Sequence, residues 1–167
     1  AGKLVHVSNL YYIEPQIALA EILSANCFAD RWFFCNSGAE ANEAAIKLAR
    51  RYWVQKGTPK PVIITANASF HGRTLAAITA TGQPKYHEGF APMVPGFAYA
   101  PYNDLAALEA AITPETGAIL LEAIQGEGGV RVPHSSYLKQ VRALCDQHRI
   151  LLSLDEVQTG IGRTGTL

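Results

Sequence analysis

The run Ile150-Leu151-Leu152-Ser153-Leu154 passes directly into Asp155-Glu156-Val157-Gln158. A short apolar run of this kind reads as a buried strand, and its end on a carboxylate delivers one fixed negative charge to the rim of a sheet. A cationic partner is expected to meet it there.

Upstream, helical and apolar segments alternate. Pro15 suits the first turn of a helix that carries Ile17, Ala18, Ile22 and Leu23 toward a core and ends near Asn26. Trp32-Phe33-Phe34-Cys35 reads as a short buried strand. Ser37-Gly38-Ala39-Glu40 has the spacing of a capping box and opens a long helix with Ala41, Ala44, Ala45, Leu48, Ala49 and Tyr52 on its inner side, ended by Gly57 and Pro59. Val62-Ile63-Ile64-Thr65 is the next strand, followed by a polar loop through Arg73 and a helix from about Leu75 to Thr79. Residues 83 to 96, rich in Pro and Gly, form a surface excursion. Phe97-Ala98-Tyr99-Ala100 reads as a strand, Asn103 or Asp104 caps a helix through Leu108 and Ile112, and Ala118-Ile119-Leu120-Leu121-Glu122 is another strand. A Gly-rich loop and a helix from about Ser136 to His148 lead back to the opening strand.

Strands buried on both faces and separated by helices specify an α/β fold, a mostly parallel sheet covered by helices on both sides. In such a sheet the loops at the carboxyl ends of the strands share one edge, where ligands bind. Four polar clusters follow four of the runs and should converge: Asn36 to Ala39, Ser69 to Arg73, Glu122 to Gly129 and Asp155 to Gln158.

Composition narrows the ligand. At 167 residues and 49% hydrophobic the chain can bury one domain's core, and 14 basic residues balance 14 acidic ones. No basic field exists for nucleic acid or an anionic membrane, so a small molecule is expected. No apolar stretch approaches the ~20 residues that span a bilayer. Cys27, Cys35 and Cys145 lie far apart, which argues against a disulfide framework or a structural zinc site; buried thiols and a cytoplasmic setting are expected. The chain opens without Met and stops on a Gly- and Thr-rich stretch, and is expected to be a piece of a longer protein.

A carboxylate at a strand end serves two chemistries: the metal-binding Asp of a nucleotide hydrolase, and the Asp that pairs with the pyridinium nitrogen of pyridoxal phosphate. The hydrolase needs G-x-x-x-x-G-K-[ST], whereas Gly2-Lys3 is followed by Leu4. Gln125 to Gly129 imitates a dinucleotide loop, but Arg131 occupies the place of the third Gly. An inert α/β binding module is the third reading, favoured if the clusters are coincidental. Taken singly, Ser37-Gly38-Ala39 is a plain capping box or a phosphate site at a helix N-terminus. Phe70 is a core aromatic or a ring-stacking one, and Arg73 a solvated side chain or a fork for a carboxylate. His71 lacks metal-ligand spacing and is expected to make a structural hydrogen bond or a ring contact. No metal site is expected.

Four ordered segments resemble the signatures of the class III pyridoxal-phosphate aminotransferases. They are Phe34 to Ala45, Ser69 to Thr74, Glu122 to Val130 and Leu154 to Gly160, within a resemblance running from about Val7 to Thr166. The resemblance is strongest to the branch acting on acetylornithine. It implies the large domain of the fold-type I pyridoxal-phosphate transferases, incomplete over residues 1–167. An N-terminal segment, the Schiff-base Lys region and a small C-terminal domain would lie outside it.

By that resemblance, Ser37, Gly38 and Ala39 bind the phosphate of pyridoxal 5′-phosphate, with Gly38 and Ala39 cradling it through backbone N–H groups. Phe70 packs on the pyridine ring, Asp155 keeps the ring nitrogen protonated, and Gln158 hydrogen-bonds the phenolic oxygen. Glu122 supports Asp155 from behind. Arg73 binds the substrate α-carboxylate, Glu127 pairs with an Arg from a later part of the family's chain, and Tyr12 touches the substrate side chain. The implied reaction moves an amino group between N-acetylornithine, or a related ω-amino donor, and 2-oxoglutarate, with glutamate as product, in arginine biosynthesis, by a homodimer. Ala123 stands where the family usually has Pro. None of Lys3, Lys47, Lys56, Lys60, Lys85 and Lys139 fits the Schiff-base role, so the 167 residues alone are expected to be inactive.

Overall fold

The structure is a computed structural model that describes residues 2–3, 5–8 and 10–165. Asn9, three residues before Tyr12 in the sequence, and Thr166, at the end of the family resemblance, lie outside the described residues. Ten elements follow one another in the chain. They are α1 (Glu14–Asn26), α2 (Gly38–Gln55), β1 (Val62–Ala66), α3 (Leu75–Ala80), a 3-10 turn (Pro84–Tyr86), β2 (Phe97–Ala100), α4 (Leu105–Ala110), β3 (Thr116–Glu122), α5 (Tyr137–His148) and β4 (Leu151–Asp155).

The four strands are parallel and ordered β2-β1-β3-β4. β3 is one of the two inner strands, and every residue from Thr116 to Glu122 is buried. Alternate side chains go to opposite faces. Ile64, Ile119 and Leu121 meet Leu108 of α4 and Val141, Leu144 and Cys145 of α5. Ile63, Ala118 and Leu120 meet Ile46 and Ala49 of α2 and Ala80 of α3. Both faces are therefore covered, and each fully buried Ile or Leu contributes about 1.5–3 kcal/mol.

β4 departs from the expected burial. It pairs only with β3 among the described residues. Leu151 to Ser153 are half-buried and Leu154 is exposed, while Asp155 is buried. The carboxylate is thus better shielded than most of the strand that delivers it.

The first part of the chain differs most from the sequence reading. α1 forms with Pro15 in its first turn, but none of its side chains is buried, Ile17 and Ile22 included. Trp32 to Cys35 is not a strand, and Phe33 is exposed. The Trp32 indole instead donates to Ser24 Oγ at 2.7 Å. Cys27 and Cys35 are exposed, and of the three thiols only Cys145 is buried.

α2 is in the expected place but turned by about one residue. Its buried residues are Asn42, Ile46, Ala49 and Trp53, whereas Leu48, placed on the inner side from sequence, is 71% exposed. The spacing of four, three and four is that of one helix face. Because the stripe begins at Asn42, the helix presents an amide, and not a methyl, at the end nearest the strand termini.

Candidate active site at the carboxyl edge of the sheet

β1, β3 and β4 run parallel and end on one edge. The loops that leave them meet the first turn of α2 around a cavity of about 350 Å³. Glycines set the closeness of these parts. A Cβ on Gly38 would lie 2.6 Å from Val157 Cγ2, so the start of α2 touches the loop after β4. Gly72 has φ +125°, and a Cβ there would lie 2.7 Å from the Ala39 Cβ. Only a residue without a side chain fits both that backbone and that gap.

Asp155 sits at the base of this cavity, 8% exposed. Its Oδ2 accepts from the Asn42 amide at 2.8 Å and is 2.8 Å from His71 Nδ1. Its Oδ1 accepts from the Val157 N–H at 3.1 Å. Burial pushes the carboxyl pKa up, but the hydrogen bonds from His71 and Asn42, the electrostatic pull of the nearby His71 ring and the Val157 N–H outweigh it, and the net shift is downward. Asp155 is therefore a carboxylate, and the proton between the two side chains belongs on His71 Nδ1. His71 makes the structural hydrogen bond expected of it.

Glu122 is the register partner of Asp155 on β3. Its Oε2 accepts from the Phe70 N–H at 3.1 Å and its Oε1 from the Gly126 N–H at 3.2 Å. Burial raises its pKa, and these two N–H groups only partly oppose the rise. The side chain fixes two loops at once: Phe70 beside the cavity and the turn carrying Gly126. Gln158 also lines the cavity, close enough to Gly126 that a Cβ on that glycine would touch the Gln158 stem at 3.4 Å.

Phe70 meets Tyr86 edge to face at 5.7 Å, and the Arg73 guanidinium lies 5.1 Å from the centre of the same tyrosine ring. Arg73 lines the cavity, as do Gly38 and Ala39. The N–H groups of those last two residues open α2 and carry no intrahelical bond, which suits an anion. Ser37 lies outside the cavity lining. Its hydroxyl accepts from the Glu40 N–H at 3.2 Å, and Glu40 Oε2 in turn accepts from the Asn36 N–H at 2.7 Å.

Besides Ser37, two further expected site residues are not brought to this cavity. Glu127 is exposed on the loop after β3 and is not part of its lining. Tyr12 is 97% exposed and lines a separate concavity of about 780 Å³ with Val5, His6 and Pro15, in which no polar side chain is buried. Sequence reasoning missed Asn42 and Tyr86. Asn42 carried a signal: an Asn inside an alanine-rich helix is a poor helix former and asks for a polar partner. Tyr86 lay in a segment read as excursion and carried none.

Residues 1–167 match the family described as aminotransferase class-III. The chain belongs to that family. The acetylornithine aminotransferase of Thermosynechococcus vestitus is 63% identical over 171 residues, covering 98% of this chain and 42% of that protein. The crystal structure of N-acetylornithine aminotransferase from Stenotrophomonas maltophilia superposes with TM-score 0.81 at 47% identity, over 99% of this chain and 41% of that one. An (S)-enantioselective omega-transaminase from Thermomicrobium roseum superposes with TM-score 0.93 at 35% identity, over 99% of this chain and 43% of that one. The chain thus spans about two fifths of the length of these class III relatives.

Pyridoxal 5′-phosphate is the cofactor of this aminotransferase family, and the residues present fit it. Asp155 offers a buried charge for the ring nitrogen, Phe70 an aromatic surface beside the cavity, and the start of α2 two free N–H groups for the phosphate. These groups belong to three separate elements, and α2, the β1 loop and β4 hold them together.

Proposed function

We propose that the full-length protein is an aminotransferase that moves the terminal amino group of N-acetylornithine, or of a related ω-amino donor, to 2-oxoglutarate and releases glutamate, in arginine biosynthesis. The observation that carries this reading is the Asp155 carboxylate, buried at the base of the cavity and held below its ordinary pKa by His71 and Asn42. The names and identities of the relatives support the donor.

When bound, pyridoxal phosphate supplies an electron sink for the pair released at the substrate carbon. The chain's own residues make that sink effective. Asp155 holds a proton at the ring nitrogen, because a fixed anion in a poorly solvated site favours the protonated ring. Gly38 and Ala39 hold the phosphate through their N–H groups, with Ser37 capping the helix that presents them. Phe70, fixed by Glu122, limits where the ring can lie, and Gln158 donates to the phenolic oxygen. Arg73 takes the α-carboxylate of donor and acceptor alike, in the paired geometry that a guanidinium allows.

Glu127 and Tyr12 belong to this reading as residues that act with parts of the full-length protein beyond these residues, Glu127 by pairing with an Arg and Tyr12 at the substrate side chain. A homodimer and a single large domain completed by further chain complete the reading. The free cysteines support a cytoplasmic setting.

The test is glutamate formation by the purified full-length protein with 2-oxoglutarate and, in parallel, N-acetylornithine, N-succinylornithine, ornithine and 4-aminobutyrate. The expected result is the highest kcat/KM for N-acetylornithine. A higher value for another of these donors would overturn N-acetylornithine as the substrate and assign that ω-amino donor instead, and no glutamate from any of them would overturn the activity.

A further inference from the structure

We infer that Asn42 is a positioning residue for Asp155: its amide decides which carboxylate oxygen is engaged inside the protein and which is left for the ring nitrogen. The inference deepens the reading of Asp155 given above and rests on it.

Asn42 lies on the buried stripe of α2, with Ile46 and Ala49 below it. An amide in that position costs free energy unless its polar atoms are bonded. Both of its N–H bonds are used. One goes to the His71 carbonyl oxygen at 2.8 Å and the other to Asp155 Oδ2 at 2.8 Å. Only the NH2 end of an amide can serve two acceptors, so its orientation is settled by its partners.

The consequence falls on Asp155. Among the described residues, Oδ2 takes two donors, from Asn42 and from His71 Nδ1, while Oδ1 takes the Val157 N–H alone. The carboxylate therefore keeps its spare accepting capacity on Oδ1. Asn42 acts twice over, because the carbonyl it holds belongs to the residue whose ring supplies the second donor. An amide also has no proton to lose between pH 5 and 8, so this donor stays in place throughout that range.

Replacing the amide by a carboxyl converts a constant donor into a titrating one. In Asn42→Asp the new carboxylate would lie against Asp155 Oδ2, and two carboxylates that close share a proton. Once protonated, the new group has an O–H to donate to Oδ2 and partly restores the native bond. The other charged or titratable groups around it are Asp155 on β4, His71 on the loop after β1, Glu122 at the end of β3 and Arg73 on the cavity wall. They are common to variant and wild type, so the comparison at each pH isolates the new carboxyl. Asn42→Leu removes the donor without adding a charge.

The experiment uses the full-length protein and follows two readouts from pH 8 to pH 5. These are the dissociation constant of pyridoxal phosphate by equilibrium dialysis, and the thermal midpoint of the apoprotein. Asn42→Asp is expected to bind the cofactor roughly tenfold or more weakly than wild type at pH 8, as for a lost charged hydrogen bond. Its deficit relative to wild type should shrink toward pH 5 in both readouts. Asn42→Leu should show a deficit that does not change with pH.

A third measurement needs no variant: both side-chain N–H protons of Asn42 in wild type should exchange with solvent far more slowly than those of an exposed Asn. Wild-type cofactor binding by both variants, a pH-independent deficit in Asn42→Asp, or exchange at the exposed rate would each overturn the inference. Asp155→Asn is run beside them. If that variant kept wild-type turnover, the reading of Asp155 would fall, whereas the apoprotein midpoints and the exchange rates still report on Asn42 directly.

Discussion

Glu122 and Asp155 stand side by side across the β3–β4 pair, yet their pKa values move in opposite directions. Both are buried, which raises each. Among the described residues Glu122 accepts two backbone N–H groups, and its neighbour's charge raises it further. Asp155 has an imidazole and an amide as well as a backbone donor, enough to turn the balance downward. The protein thereby concentrates negative charge on the residue that faces the cavity base and spends the other carboxyl on holding loops.

Asp155→Asn keeps the size of the side chain and removes its charge. Turnover in the full-length enzyme should fall by more than about 3 kcal/mol of transition-state stabilisation, the scale of a lost preorganised charge. The phosphate end of the site is untouched, so dialysis should still find the cofactor bound. Near-normal kcat would mean that another group keeps the ring nitrogen protonated.

Arg73→Lys should weaken donor and acceptor together, by roughly 1.5–3 kcal/mol, because a point charge cannot reproduce the paired fork. Half-reaction kinetics for each substrate, with the cofactor absorbance unchanged, are the measurement. Tyr86→Leu should act in the same direction but more weakly, by about 0.5–1 kcal/mol, since it removes the ring over which the guanidinium rests. An effect on one substrate alone would assign Arg73 a different duty.

Acid stability follows from the sign of the Asp155 shift. A carboxyl whose folded pKa is lowered contributes stability that is fully present above the unfolded value, near 3.9, and is lost as pH falls through the folded value. Glu122 works in the opposite sense: its penalty is present above its raised folded pKa and relieved below the ordinary Glu range, near 4.3. The thermal midpoint should therefore drop below about pH 4, and Asp155→Asn should flatten that drop. An acid limb of equal steepness in both proteins would show that Asp155 is not a source of it.

Gly72→Ala places a methyl group against Ala39 at a backbone angle that L-residues avoid. Strain and overpacking together should cost about 2 kcal/mol or more, read as a lower midpoint in chemical denaturation. Because the displaced partner is the first turn of α2, phosphate affinity should fall with it. A variant as stable as wild type would show that the loop can move aside.

The elements that sequence reasoning placed well are those whose burial is complete. β3 is apolar along its length because helices lie on both of its faces, and β1 and α5 are nearly as clear. Trp32 to Cys35 has strand-forming residues but pairs with no strand among the described residues, and strand propensity without a partner makes no strand. α1 has apolar side chains, none of which is buried. The phase of α2 is hard to read because alanine is nearly silent about which way it faces; Ile46 and Trp53 carry it, and an apolar pattern gives no weight to Asn42, the buried amide that reaches the site. Phe70, Arg73, Asp155 and Gln158 were legible because they follow strands on the ligand-binding edge, a rule of topology that needs no side-chain detail.

Asn42 and Asp155 are 113 residues apart in the chain yet in direct contact. A contact of that span is among the last to be compensated for its loop-closure entropy during folding. A growing polypeptide can form α2 and pair β1 with β3 while the base of the cavity is still missing. Only when β4 docks beside β3 does the site acquire its charge, so the chemistry of the cavity waits on the last of these four strands to pair.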